Sequence, residues 1–223
     1  VSITLMSDPS VAAIPVVDCR EPLVDVRRGG ALITSTIRED AGGAFAYLRR
    51  GVLERLLHAQ SRLPSGLRFL FVEGYRPPAL QRRYFEAYAD GLHKADPTLS
   101  PERLRADASR FVSPPEIAPH SAGAAVDLTL VDADGQELDM GTRVNANPEE
   151  SKGACYTHAD TISPLARANR TILCSALCEA GLVNYPTEWW HWSFGDRYAA
   201  LMTGQKTAVY GPIELDALGG EER

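Results

Sequence analysis

Apolar residues in this chain recur in two kinds of block. One repeats every three or four positions: Leu48, Val52, Leu56 and Ala59 fall on a single helical face, which predicts a helix over 44–60. The other is continuous. Arg68-Phe69-Leu70-Phe71-Val72-Glu73 reads as a buried strand that stops at Gly74-Tyr75-Arg76-Pro77-Pro78, after which proline opens a helix over 79–88. Ser100-Pro101-Glu102 caps a short helix, and Ser163-Pro164 caps the longest clear one, ended by Gly181. Residues 124–130 predict a strand, Asp132-Ala133-Asp134-Gly135 a hairpin turn and 136–140 its partner. A second hairpin joins 182–185 to 188–193, and 195–203 closes with a short helix.

Between these blocks the chain is polar or broken by proline. Residues 1 to about 35 read as extended, with 1–22 a lead-in; 111–119 is a loop delivering His120, and 141–161 a polar loop. The last residues, 219–223, read as a disordered tail. Strands and helices fall in runs, not in alternation. The expected class is therefore α+β, a central antiparallel sheet with helices packed around it.

At 223 residues the chain has the length of one domain, taken here as 1–223. Its 44% hydrophobic and 23% charged residues are ordinary for a soluble globular protein. A net charge of -6 argues against a nucleic-acid partner, because phosphate backbones recruit basic surfaces. No stretch approaches a transmembrane helix, so no membrane partner is expected. The N-terminus lacks a signal peptide's basic start and apolar run. Cys19, Cys155, Cys174 and Cys178 read as reduced thiols, and the expected compartment is cytoplasmic. Oligomeric state is left open.

Two segments carry chemistry. In His120-Ser121-Ala122-Gly123-Ala124-Ala125-Val126-Asp127, the aspartate interrupts an apolar strand, where a charge is costly unless paired or metal-bound. In Glu188-Trp189-Trp190-His191-Trp192, a second histidine follows an acid by three residues. Two histidines and an aspartate are ligands of the kind a catalytic zinc takes, with a fourth position left for water. Strict strand alternation, however, turns Glu188 to the face opposite His191. From spacing alone, an aspartate satisfied by an arginine and core tryptophans with polar ends fit equally well.

The segments Glu73-Gly74-Tyr75-Arg76-Pro77, His120-x-x-Gly123-x-Ala125-x-Asp127 and Glu188-Trp189-Trp190-His191 resemble the VanX-type D-alanyl-D-alanine dipeptidases. These belong to a group of zinc D,D-peptidases sharing a fold with the Hedgehog signalling domain. Asp127-Leu128-Thr129-Leu130, Met140-Gly141-Thr142-Arg143 and Tyr210-Gly211-Pro212 extend the likeness, which runs from about Leu23 onward in family order. The resemblance implies one Zn2+ per chain held by His120, Asp127 and His191, with Glu188 as general base and acid. Arg76 would stabilise the anionic transition state, and the partner would be a small D-amino-acid-containing peptide. Two other functions remain open: a D,D- or L,D-carboxypeptidase acting on a longer or N-acylated peptidoglycan-type peptide, and a non-catalytic zinc-stabilised binding module.

The chain departs from the family around the substrate's amine end. The family's tyrosine, serine and aspartate there are matched by Arg28, Ala118 and Asn145. Losing a carboxylate and gaining a guanidinium makes a free ammonium less welcome and an acyl group or carboxylate more so.

Overall fold

The apolar run ending at Glu73 does form a strand, and it lies beside the strand that carries Asp127. The computed structural model describes residues 3–215 apart from Glu39 and Ala41; the expected tail at 219–223 lies outside the described residues. The chain begins with helix α1 (Pro9–Ala13), whose amide Ser10 is capped by Asp8. Strands β1 (Leu23–Asp25) and β2 (Ile33–Thr34) follow, then a 3-10 turn at Ala44–Ala46, β3 (Tyr47–Arg49) and α2 (Arg50–Ser61). Next come β4 (Arg68–Glu73), α3 (Pro78–Ala95), α4 (Pro101–Ala108), a 3-10 turn at Pro119–Ala122 and β5 (Ala125–Val131). The last elements are α5 (Pro148–Ser151), α6 (Pro164–Glu179), β6 (Val183–Asn184), β7 (His191–Ser193) and α7 (Arg197–Met202).

Among the described residues, five strands form a sheet in the order β2-β4-β5-β7-β6, and β1 pairs with β3 in a second, two-stranded sheet. Every pairing is antiparallel except that of β2 with β4 at one edge. β5 is the central strand and is buried along its whole length. Alternation sends Val126, Leu128 and Leu130 into the main core, with Phe69 and Phe71 of β4, Val52 and Leu56 of α2, and Leu173 and Leu177 of α6. Each such side chain contributes roughly 1.5–3 kcal/mol by burial. The opposite face of β5 carries Asp127 and Thr129, also buried. The apolar core on one face of β5 thus supports a buried polar row on the other.

Several sequence expectations change. The lead-in at 1–22 is not wholly extended, since α1 interrupts it. The helix expected over 44–60 starts only at Arg50, because Tyr47–Arg49 pairs with Leu23–Asp25, a long-range contact that helical periodicity does not register. Helix α3 runs on to Ala95. The partner of the first hairpin is reduced to a bridge between Val131 and Glu137, and the polar loop contains α5. No described helix is long and apolar enough to cross a membrane.

Candidate metal centre and catalytic groups

Three adjacent strands each place one polar residue in a single row. Glu73 of β4 stands opposite Asp127 of β5, which stands opposite His191 of β7. A regular antiparallel ladder would not bring Glu73 there. Phe71 pairs with Leu128, whose neighbour Asp127 should meet Val72, but the register shifts by one residue. This bulge turns Glu73 away from the core and toward Asp127, the usual effect of one extra residue in a strand.

The fourth member of the group comes from outside the sheet. The 3-10 turn at Pro119–Ala122 carries His120 and ends at Gly123, whose φ is +64°. A Cβ at Gly123 would lie 2.2 Å from Leu23 Cδ2, so glycine, which also suits the positive φ, lets this turn close against β1 without displacing that leucine. The His120 segment is also knitted to the Arg76 segment: the Arg76 amide donates to the His120 carbonyl (3.1 Å), and Ser121 Oγ donates to the Arg76 carbonyl (3.0 Å).

His120 Nδ1 lies 2.6 Å from the Gly74 carbonyl. That carbonyl can only accept, so Nδ1 carries the proton and the Nε2 lone pair is left for another partner. Nε2 is 3.2 Å from His191 Nδ1 and 3.4 Å from Asp127 Oδ1, while His191 Nδ1 is 3.0 Å from the same Oδ1. The three potential ligand atoms lie within 4.8 Å of one another, and all three residues are buried. Burial lowers the His191 pKa despite the pull of Asp127, which favours a neutral imidazole. Burial works against ionising Asp127, yet the two imidazoles beside it hold its carboxyl well below the usual carboxylate range. Two imidazoles and one carboxylate, converging and dry, fit a catalytic zinc.

Glu188 reaches this group from a turn. Residues 188–190 lie outside β7, and the His191 amide bonds back to the Glu188 carbonyl at 3.2 Å. The Asn184 side-chain amide holds that carbonyl (3.1 Å) and the His191 carbonyl (3.0 Å) together. Glu188 Oε2 consequently lies 3.8 Å from His191 Nδ1. Burial and the nearby Asp127 charge push its pKa well above the ordinary value, while Arg76 pulls in the other direction.

Arg76 is itself buried, and its guanidinium is largely committed. Nε and Nη2 bind the two oxygens of Glu73 at 2.7 Å each, and Nη1 donates to Gln81 Oε1 at 2.8 Å. Burial disfavours the charged guanidinium, but Glu73 more than compensates and raises its pKa. Glu73 shows the reciprocal balance: burial raises its pKa and Arg76 brings it below the ordinary value.

The structure thus brings His120, Asp127, His191, Glu188 and Arg76 together. Among the described residues, Arg28, Ala118 and Asn145 make no side-chain hydrogen bond or ion pair to these groups, although Ala118 caps the turn that carries His120. Arg28 is exposed on the turn after β1, its amide bonded to the Asp25 carbonyl at 3.2 Å. Ala118 is buried ahead of the His120 turn and lines a small cavity with Ile117, Ala122, Asp196 and Tyr210. Asn145 adopts φ +60°, and its buried Nδ2 has no hydrogen-bond partner among the described residues. Sequence reasoning gave no role to Glu73, Gln81 or the Gly74 carbonyl. An acid ending an apolar strand three residues before Arg76 was the one available signal.

Residues 40–207 match the Peptidase_M15 family, described as D-ala-D-ala dipeptidase. A D-alanyl-D-alanine dipeptidase of Synechocystis sp. is 31% identical over 241 aligned positions, covering 91% of this chain and 96% of the relative. One from Escherichia coli (strain K12) is 30% identical over 127 positions, 57% of this chain and 55% of the relative. A solved structure of the LdcB LD-carboxypeptidase aligns with a TM-score of 0.47 and 15% identity, over 86% of this chain and 76% of that one.

Proposed function

This chain belongs to the Peptidase_M15 family of D-ala-D-ala dipeptidases, and on that premise we propose that it is a zinc metallopeptidase cleaving a small peptide built on D-alanyl-D-alanine. The observation that carries the reading is the convergence of His120, Asp127 and His191, with Glu188 Oε2 only 3.8 Å from His191 Nδ1. These three ligands would hold the metal, which when bound supplies Lewis acidity toward the scissile carbonyl and a water of lowered pKa. Glu188 takes the proton from the nucleophile and delivers it to the leaving amine. Burial and the Asp127 charge raise its pKa, the direction that favours delivery of a proton to the leaving group. Arg76 retains N–H groups beyond those bound to Glu73 and Gln81, and we assign them to the developing negative charge. The ion pair with Glu73 fixes where that guanidinium points. A purely structural zinc site needs no second buried carboxyl such as Glu188 beside its ligands, which favours the catalytic reading over the non-catalytic module.

At the amine end we assign Arg28, Ala118 and Asn145 to the substrate. The unpartnered Asn145 Nδ2 supports this, because a donor without an acceptor suits an acyl carbonyl better than an ammonium. The same observation favours, as a second reading, an N-acylated or longer peptide trimmed as by a carboxypeptidase. We further take 1–223 as one peptidase domain and its setting as cytoplasmic, in keeping with four free cysteines.

The test is hydrolysis by the zinc-loaded protein of free D-alanyl-D-alanine, its N-acetyl form and a pentapeptide ending in the same pair. Cleavage of the D,D bond is expected, with N-acetylation tolerated. Turnover of the free dipeptide alone would remove the amine-end assignment, and turnover of none would remove the function.

A further inference from the structure

Arg38 lies between β2 and the 3-10 turn at Ala44–Ala46, at the edge of the metal centre. Its Nε is 3.6 Å from Glu73 Oε2, and its Cζ stands 5.7 Å from the Tyr84 ring centroid. Arg76 Cζ is 5.1 Å from the same centroid. Two guanidiniums therefore share one carboxylate and one aromatic ring. They are not equivalent. Glu73 already gives both oxygens to Arg76 in 2.7 Å bonds, whereas Arg38 makes no hydrogen bond among the described residues. Its side chain is 28% exposed, against 8% for Arg76.

Arg38 is thus held in place by a ring and a long ion-pair contact, while its terminal nitrogens meet no acceptor among the described residues. A guanidinium presents a planar fork of donors that matches a carboxylate in two parallel bonds. The site around it is also short of negative charge. With a dication in place, the metal, Arg38 and Arg76 outweigh Glu73, Asp127 and Glu188 by at least one unit, and the burial of Arg76 and the three acids penalises such an excess. An unblocked dipeptide brings the missing anion in its terminal carboxylate.

We propose that Arg38 binds the C-terminal carboxylate of the substrate and makes the enzyme selective for a free C-terminus. This rests on the dipeptidase reading above. If Arg38 instead served only to neutralise Glu73, it would respond to the state of Glu73 and Arg76 and not to the substrate's terminus.

The experiment compares kcat/KM for a dipeptide with a free C-terminus and for its C-terminal amide, in the zinc-loaded wild type and in Arg38→Gln and Arg38→Lys. Wild type is expected to prefer the acid by about 10- to 100-fold, the range for a hydrogen-bonded charge pair. In Arg38→Gln that ratio is expected to fall to within a few-fold of one, with the loss on the acid carried by KM. Arg38→Lys, which keeps the charge without the fork, should fall between. An acid-to-amide ratio in Arg38→Gln equal to that of wild type would overturn the proposal, even if both rates fell together. So would a loss confined to substrates with an acidic N-terminal residue, which would put the carboxylate at the other end. Wild type that cleaved neither acid nor amide would overturn the dipeptidase reading itself, and this assignment with it.

Discussion

Glu188 Oε2 lies 3.8 Å from His191 Nδ1 because the chain turns between them instead of running straight as a strand. Continuous alternation would set the two side chains on opposite faces of the sheet. Here β7 starts at His191, and the three residues before it wind through a turn whose carbonyls Asn184 grips. Trp189 and Trp190, both fully buried, anchor that turn in the core. The acid is thereby fixed beside the imidazole nitrogen that faces Asp127.

Glu188→Gln keeps the size of the side chain and removes its ability to carry a proton. It is expected to lower kcat by about 10²- to 10⁴-fold, the usual worth of a positioned acid–base group. Zinc content, read by elemental analysis, should stay at one per chain, since Glu188 is not among the three converging ligand atoms. A glutamine variant with near-normal kcat would assign the base to another residue.

Glu73→Gln leaves the Arg76 guanidinium buried without its counter-ion. Removing one partner of a buried pair costs about 3–5 kcal/mol, so urea unfolding should show a loss of that order. The pH dependence follows from Arg76 outweighing burial and lowering the Glu73 pKa below 4.5. A carboxyl depressed in the folded state adds stability above its unfolded pKa, and that stability is lost as pH falls through the folded one. The gap in Tm between wild type and variant should be widest near neutrality and narrow below about pH 4.5. A gap that widened in acid would contradict the sign.

Asp127, His120, His191 and Glu188 stand out in the sequence as polar residues set in apolar or aromatic segments, but it was the family resemblance that made a metal centre of them, since spacing alone fitted a salt-bridged aspartate and core tryptophans equally well. Their arrangement was less legible. The strand-parity conflict over Glu188 arose from treating 188–193 as one strand, and a turn held by Asn184 leaves no mark on periodicity. The bulge that brings Glu73 to Asp127 depends on the partner strand, so the run Phe69 to Glu73 reads the same with or without it. Residues 47–49 carry a helical pattern but answer to β1, over twenty residues away. Arg38 reaches the site only through the tertiary fold, and nothing near it in sequence distinguishes it from a solvated arginine.

Metal removal gives a third expectation. His120, Asp127 and His191 come from a 3-10 turn and two strands, so a metal joining them ties those elements together in the folded state only. Chelation should lower Tm, and re-addition of zinc should restore it in a concentration-dependent way. Free zinc at 100 times its Kd corresponds to about 2.7 kcal/mol of stabilisation. In His191→Ala the response to chelator should largely vanish. A wild-type Tm indifferent to chelator and zinc alike would argue that these residues hold no metal.

Arg170 offers a way to loosen the loop that carries Asn145 through a residue that bonds neither the metal ligands nor Glu188 directly. It projects from α6 and is 2% exposed. Its donors reach the carbonyls of Met140 (2.8 Å), Ala154 (2.8 Å) and Tyr156 (2.6 Å), closing both ends of the loop onto one guanidinium. Trp189, 5.5 Å beneath its Cζ, donates in turn from Nε1 to Thr142 Oγ1 at 2.8 Å. The loop is therefore pinned to the turn that positions Glu188. Lysine at 170 keeps the charge but offers one compact ammonium where three separated carbonyls need a fork. Arg170→Lys should cost about 1–3 kcal/mol for each buried carbonyl left without a donor. Amide hydrogen exchange should quicken across 140–157 more than in β5. If the loop aligns Asn145 with the substrate, KM should rise more than kcat falls. Exchange unchanged across 140–157 would show that other contacts, such as Asn169 Nδ2 to the Asp139 carbonyl at 2.8 Å, suffice to hold it.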